Sequence, residues 1–295
     1  YPAQKLDRSD IYIDDKWTFD KRWQAYFGLR YDHLKAGKDD ERAVNMSDYS
    51  TGSLSPKFSL ALKSDAKNTT YLSINKVWRA PSMPEFYWWA NYARNKTKYL
   101  KPEQGMSYEL STLHRFDQRY QVKVGGFYQD LSDYINFRHY NPFLCYNIDN
   151  AKIWGLELES QIKFDAKNTL LLNYTNQHSK KTGVHPDDRQ NGLINELDYM
   201  PRHKLGLTYM YDDKLWNVRY NINYVSSQKE SPVATNGSVI RIGGYTVHNL
   251  AVTRNLNKNS SLSLFIDNIF DKDYSEQYGY PMLGRQFSAN YIFRF

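Results

Sequence analysis

Between Trp78 and Gln104 the sequence reads WRAPSMPEFYWWANYARNKTKYLKPEQ, which gathers Trp78, Phe86, Tyr87, Trp88, Trp89, Tyr92 and Tyr99 beside Arg79, Arg94, Lys96, Lys98 and Lys101. Planar rings next to cations can stack on, and neutralise, an anionic aromatic ligand, a ferric catecholate being one such species. The same residues also suit an aromatic girdle at a membrane interface, with basic side chains meeting lipid phosphates. Other candidates are weaker. Asp39-Asp40 and Asp187-Asp188 can hold Ca2+ in surface loops, but without a defined ligand spacing they read first as solvated acids. His33, His139, His178 and His185 fall near the expected outer rim, beside the long connections, and a lone rim His is most often a solvated loop residue. His185 with Asp187 and Asp188 fixes no coordination geometry, so no metal site is assigned. Glu157 and Glu159 resemble a pair of catalytic acids, yet two apart on one strand they read better as partners for Arg or Lys across strands. No G-x-S-x-G elbow and no Ser, His and acid grouping appears, so no catalytic residue is assigned and the chain reads as a non-enzyme. Cys145, the one cysteine, is either a small apolar filler or a thiol whose partner lies outside this sequence.

The elements that carry these residues show themselves by alternation. At the C-terminus Phe287, Ala289, Tyr291, Phe293 and Phe295 share one strand face, while Gln286, Ser288, Asn290, Ile292 and Arg294 share the other. Such a strand suits the wall of a water-filled membrane barrel. Matching runs are Trp23, Ala25, Phe27, Leu29, Tyr31; Tyr120, Val122, Val124; Trp154, Leu156, Leu158, Ile162, Phe164; Leu205, Leu207, Tyr209, Tyr211; and Trp216, Val218, Tyr220, Ile222, Tyr224. Between them sit the lumen candidates Arg30, Lys123, Glu157, Glu159, Gln161, Asn217, Arg219, Asn221 and Asn223. A mean hydropathy of -0.75 would otherwise suggest a soluble all-β sandwich or propeller, but only alternate residues of a barrel strand meet lipid, so its average stays low. Aromatic residues reach 16%, with 26 Tyr, as a barrel wall with interfacial girdles requires. The formal charge of +7 follows equally from lumen and headgroup-facing side chains, and no nucleic-acid partner is expected.

Connection lengths separate barrel from sandwich. Tight turns are expected at Asp20-Lys21, Asp65 to Asn68, Phe116 to Arg119, Asp165 to Asn168, Asp212-Asp213 and Leu256 to Asn259. Between them come long connections: His33 to Gly52, Arg79 to Gln104, Tyr140 to Leu144, Gly183 to Asn195, Glu230 to Ile242 and Lys272 to Leu283. Strict short and long alternation marks an outer-membrane barrel with periplasmic turns and large external loops. The scheme gives about thirteen strands, an odd number, where bacterial barrels close with an even one. It also starts with YPAQKLDRSD in an external loop, so the sequence is expected to be the C-terminal part of a larger barrel whose other strands close the edge.

Three sequence boxes carry a resemblance. The first is WRAPSMPEFY at Trp78 to Tyr87 with LKPEQGMSYEL at Leu100 to Leu110, the second YNIDNAKIWGLELES at Tyr146 to Ser160. The third is the tail, with Asn268, Ile269, Phe270, Asp271, Lys272, Tyr274, Gly279, Tyr280, Pro281, Gly284, Arg285 and Phe295. Together they resemble the TonB-dependent outer-membrane receptors. The resemblance implies an all-β transmembrane antiparallel barrel of about 22 strands, of which residues 1–295 supply the C-terminal thirteen or so, without the plug domain. It implies bacterial outer-membrane localisation and TonB-energised uptake of a scarce nutrient. The partners implied are the plug and remaining strands, the TonB complex, outer-membrane lipid and a metal-chelate ligand. A ferric siderophore is the expected cargo, with cobalamin or haem as alternatives and a passive porin-like channel as the reading of another class. The haem branch of the family carries a His between the two mid-barrel boxes, and none lies between Arg79 and Lys101. Ligand contact is expected from Arg79, Tyr87, Trp88, Trp89 and Arg94, and plug contact from Arg30, Lys123, Glu157 and Arg219.

Overall fold

In a computed structural model, residues 4–38, 49–83, 85, 100–138, 144–184, 195–230 and 240–295 are described. Their strands are β1 (Gln4–Thr18), β2 (Trp23–Lys38), β3 (Tyr49–Lys63), β4 (Asn68–Arg79), β5 (Glu103–Arg115), β6 (Tyr120–Arg138), β7 (Leu144–Lys163), β8 (Asn168–Thr182), β9 (His203–Asp212), β10 (Trp216–Val225), β11 (Gln228–Glu230), β12 (Ile240–Ile242), β13 (Tyr245–Asn257), β14 (Ser260–Asp267), β15 (Ser275–Gln277), β16 (Tyr280–Pro281) and β17 (Gln286–Phe293). Thirteen of them form one antiparallel sheet, with β10 followed by β13, β14 and β17, while β11–β12 and β15–β16 are small hairpins inside long connections. Chain neighbours are sheet neighbours throughout, so the sheet is an up-and-down meander and the expected thirteen strands are present. No partner strand covers the outer edge of β1 or of β17 among the described residues.

Register fixes two faces across the whole sheet. Trp23, Leu62, Thr70, Thr112, Val124, Leu158, Tyr174, Leu205, Tyr224 and Thr246 stand in one transverse row from β2 to β13. Every apolar run read from the sequence falls on that face. Its side chains stay open to the surroundings, with Ile11 71% and Phe287 71% exposed, as a lipid-facing wall requires. The opposite face joins Gln24, Ala61, Tyr71, Ser111, Gly125, Glu157, Thr175 and Lys204. No helix among the described residues is long and apolar enough to cross a membrane.

The two ends of the meander are built differently. At one end the strands join through residues 19–22, 64–67, 116–119, 164–167, 213–215 and 258–259. In five of these an Asp carboxylate accepts two successive backbone N–H bonds: Asp20 from Arg22 and Trp23, Asp65 from Lys67 and Asn68, Asp117 from Arg119 and Tyr120, Asp165 from Lys167 and Asn168, Asp213 from Leu215 and Trp216. In the sixth, Asn257 accepts from Asn259. These acids reverse the chain with their own side chains, which is why Asp recurs there. At the other end the strands run further than alternation alone indicates. Residues 4–10, expected in a loop, form half of β1, and His33, Leu34 and Ala36, expected in the first long connection, continue β2 against Gly52, Thr51 and Tyr49. Leu34 and Ala36 are buried there beside Tyr49, Trp78, Ala80 and Met83, so packing beyond the membrane wall extends these strands.

Candidate functional site

At the base of the Trp78–Gln104 connection the two mid-barrel boxes lock together. The guanidinium of Arg79 donates to both carboxylate oxygens of Glu103, Nε to Oε2 at 2.7 Å and one Nη to Oε1 at 2.7 Å. Its Nη atoms also donate to Glu85, at 2.8 and 3.0 Å. Glu85 in turn accepts from the Ser82 backbone N–H at 2.6 Å, and Glu103 from that of Ile135 at 2.8 Å. Arg79 is thus held by two forked ion pairs, the geometry in which Arg binds carboxylate most rigidly. The residues that follow continue the brace. Leu100 is buried against Ile135 and Cys145, and Asn147 grips Lys101 by donating to its carbonyl and accepting from its N–H. Cys145 is fully buried and packs as a small apolar filler.

Arg79, expected to contact ligand, has its guanidinium engaged by Glu85 and Glu103. Tyr87, Trp88, Trp89 and Arg94 lie outside the described residues, as do Asp39, Asp40, His139, His185, Asp187 and Asp188. No group of three or more His, Cys, Asp or Glu side chains suited to a metal occurs among the described residues. Glu85, Glu103 and Asn147 were missed as a group, although all three sit inside the boxes that carry the resemblance.

Arg30, Lys123, Glu157 and Arg219 share the polar face but stand on β2, β6, β7 and β10, as parts of one wall. Arg30 joins a ladder in which Asp32 accepts from Arg30 and Arg8, each at 2.9 Å, with Asp10 3.0 Å from Arg30. Lys123 lies 3.5 Å from Glu159, the cross-strand pairing expected of that acid. Glu157 stands opposite Gly125 and Thr175, and Arg219 reaches the sulfur of Met210 at 3.7 Å. On the same face a cavity of about 460 Å3 is lined by Lys16, Gln24, Tyr71, Glu109, Ser111 and Lys123. The hydroxyl of Ser111 is buried there without a hydrogen-bond partner among the described residues.

The tail box is a second brace. Asn268, almost fully buried at φ 51°, donates from its amide to the carbonyls of Lys272 (2.9 Å) and Leu283 (3.3 Å) and accepts the Lys272 N–H at 2.9 Å. Asp271 accepts the Arg285 N–H at 2.7 Å. These contacts close the connection between β14 and β17 on itself. Gly155 of the middle box has a plain steric reason, since a Cβ there would sit 2.2 Å from the carbonyl oxygen of Asn176 on the neighbouring strand.

The family model described as "TonB dependent receptor-like, beta-barrel" matches residues 1–269. The iron-regulated outer membrane virulence protein of Vibrio cholerae serotype O1 is 23% identical over 299 residues, covering 94% of this chain and 43% of that protein. Among solved structures, the copper transporter OprC is similar with a TM-score of 0.80 at 18% identity, over 98% of this chain and 47% of that one. The ferric-catecholate import receptor Fiu from K12 E. coli has a TM-score of 0.72 at 17% identity, over 99% and 45%. The ferric yersiniabactin uptake receptor FyuA from Yersinia pestis has a TM-score of 0.72 at 17% identity, over 99% and 46%. The chain therefore spans less than half the length of the relatives it matches. With thirteen meandering strands, one apolar and one polar face, and the matched residues covering nearly all of it, the chain belongs to the β-barrel of the TonB-dependent receptors of the bacterial outer membrane.

Proposed function

We propose that the chain is the C-terminal part of the barrel of a receptor that takes up a ferric siderophore, with energy delivered through TonB. The observation that carries this reading is the rim brace. Arg79, Glu85 and Glu103 fix both ends of the most aromatic and cationic connection in the chain, as a binding loop on a rigid wall requires. Arg79 then serves by holding that connection, while Tyr87, Trp88, Trp89 and Arg94 present rings and charge to an anionic chelate. Support also comes from similar proteins whose names concern iron, including the ferric citrate transporter FecA. The polar wall of Arg30, Lys123, Glu157 and Arg219, with the cavity around Ser111, faces a plug supplied from elsewhere in the receptor, and further strands pair with the edges of β1 and β17.

The test is uptake by cells expressing the receptor with Trp88→Ala and Trp89→Ala. Ferric-catecholate uptake is expected to fall at least tenfold while surface expression stays unchanged. Unchanged uptake removes the loop assignment. Growth rescue by haem or cobalamin with no response to any ferric chelate replaces the siderophore reading, and swelling of receptor-loaded liposomes in sugar marks a passive channel.

A further inference from the structure

On the apolar face one transverse row departs from the hydrocarbon pattern. Register sets Lys76 (β4), Met106 (β5), Asp130 (β6), Lys152 (β7) and Lys180 (β8) side by side. One step toward the short turns, the same strands carry Ile74, Tyr108, Tyr128, Trp154 and His178; the next step carries Leu72, Leu110, Gly126, Leu156 and Asn176. Cationic, aromatic and aliphatic rows thus follow one another as headgroup, interface and acyl region do in a bilayer. Depth agrees. The ten residue steps from Trp154 to Phe164 cover ~33 Å of strand, or about 25 Å of membrane at a tilt near 40°, which is the height of a barrel's apolar band. The lysine row therefore lies at the level of the phosphates, on the side of the long connections.

Charge and shape are both left over at this place. Asp130 is occupied by Lys152 at 3.5 Å, by the Tyr128 hydroxyl at 3.3 Å and by the Asn150 amide. Lys76 and Lys180 form no ion pair with a carboxylate among the described residues. Below the row, a recess of about 490 Å3 opens among Leu72, Leu110, Gly126 and Leu156, under Tyr128 and Trp154. Nothing in the backbone demands glycine at 126: its φ is not positive, and a Cβ would meet Leu156 at an ordinary 3.6 Å. The missing side chain instead opens the recess.

We propose that this face binds one outer-leaflet lipid bearing two phosphates and several acyl chains. One phosphate meets Lys76 and the other Lys152 and Lys180, about 14 Å away across three strand spacings of ~4.8 Å, while one chain fills the recess at Gly126. A lipid with a single phosphate can occupy only one of the two stations.

The experiment is native mass spectrometry of the receptor extracted from outer membranes, titrated with bisphosphorylated lipid A, phosphatidylglycerol or inorganic phosphate. Lipid A is expected to bind at least tenfold more tightly than phosphatidylglycerol, and inorganic phosphate to leave it bound. Lys76→Gln with Lys180→Gln should weaken lipid A about 25-fold, roughly fivefold per lysine. Gly126→Leu should weaken it severalfold with every charge in place. Heat-shifted mobility on gels reports an intact barrel in each variant. Equal binding of lipid A and phosphatidylglycerol, displacement by inorganic phosphate, or wild-type affinity in either the double variant or Gly126→Leu overturns the proposal.

Discussion

The short turns and the long connections of this barrel reverse the same chain by opposite means. Each turn is closed from within. In five of the six an Asp accepts N–H groups two and three residues ahead, and contacts beyond the turn run only to the neighbouring strand or turn, as from Lys167 to Asp213 at 3.4 Å. The long connections are closed from afar: Arg79 to Glu103, Lys101 to Asn147, Gln228 to the Glu276 carbonyl, Asn268 to Leu283. They also bury polar groups that the turns leave in water. Lys229 is buried 3.3 Å from Asp198, and Lys181 is buried with its ammonium donating to Asn136 at 3.2 Å. One end can therefore form as each hairpin forms, whereas the other needs several hairpins in place at once.

That contrast predicts where substitutions hurt. The largest effect is expected at Asn268→Ala, which removes three buried hydrogen bonds and leaves alanine at φ 51°. A loss of about 3 kcal/mol is expected in denaturant unfolding of the reconstituted receptor. Glu103→Ala follows. It deprives Arg79 of one of its two carboxylates and the Ile135 N–H of its acceptor, and Arg79 is 44% exposed, so about 2 kcal/mol is expected. Hydrogen exchange should rise in both strands that flank the connection, β4 and β5. If either change acts only within its own turn of chain, the picture of a collectively closed end fails.

The same division explains what could be read in advance. Faces, strand number and turn positions are local and periodic, so Trp154, Leu156 and Leu158, or Asp65 and Asp165, disclose them directly. The partner of Arg79 was not legible, because nothing in WRAPSMPEF says that Glu103, 24 residues on, will pair with it. The boxes that carried the resemblance were legible as patterns and opaque as chemistry. In the structure their Arg79, Glu103 and Asn268 join the two ends of the connections. The extension of β2 through Leu34 and Ala36 was hidden for a related reason: beyond the membrane both faces can be covered, and alternation loses its meaning.

Acid and alkali should act on opposite ends. The backbone N–H of Arg22 holds the Asp20 carboxyl below its usual value, that of Lys167 does so for Asp165, the Asn68 side chain leads for Asp65 and the Tyr211 hydroxyl for Asp213. A carboxyl with a lowered folded value contributes stability that is complete above the unfolded value near 4 and is lost as pH falls through the folded one. Burial lowers the Lys229 ammonium instead. Between that lowered value and the unfolded one near 10.4, the unfolded chain holds more protons, so stability rises with pH. Protection of the turn amides, taken relative to the intrinsic exchange rate at each pH, should therefore stay flat from about pH 7 to 5 and fall below 4, while protection around Tyr199 and Lys229, joined by a backbone bond, should grow as pH rises into the alkaline range.

The smallest effect is expected from a single turn. In Asp65→Ala the Lys67 and Asn68 amides lose their acceptor, but both face water, which replaces it, and the flanking ladder from Lys63 and Thr69 onward is untouched. Exchange at those two amides should rise severalfold while the unfolding midpoint stays where it was. A shift of that midpoint as large as the one from Asn268→Ala would mean that the turns are coupled through the sheet. The two ends would then differ in appearance alone.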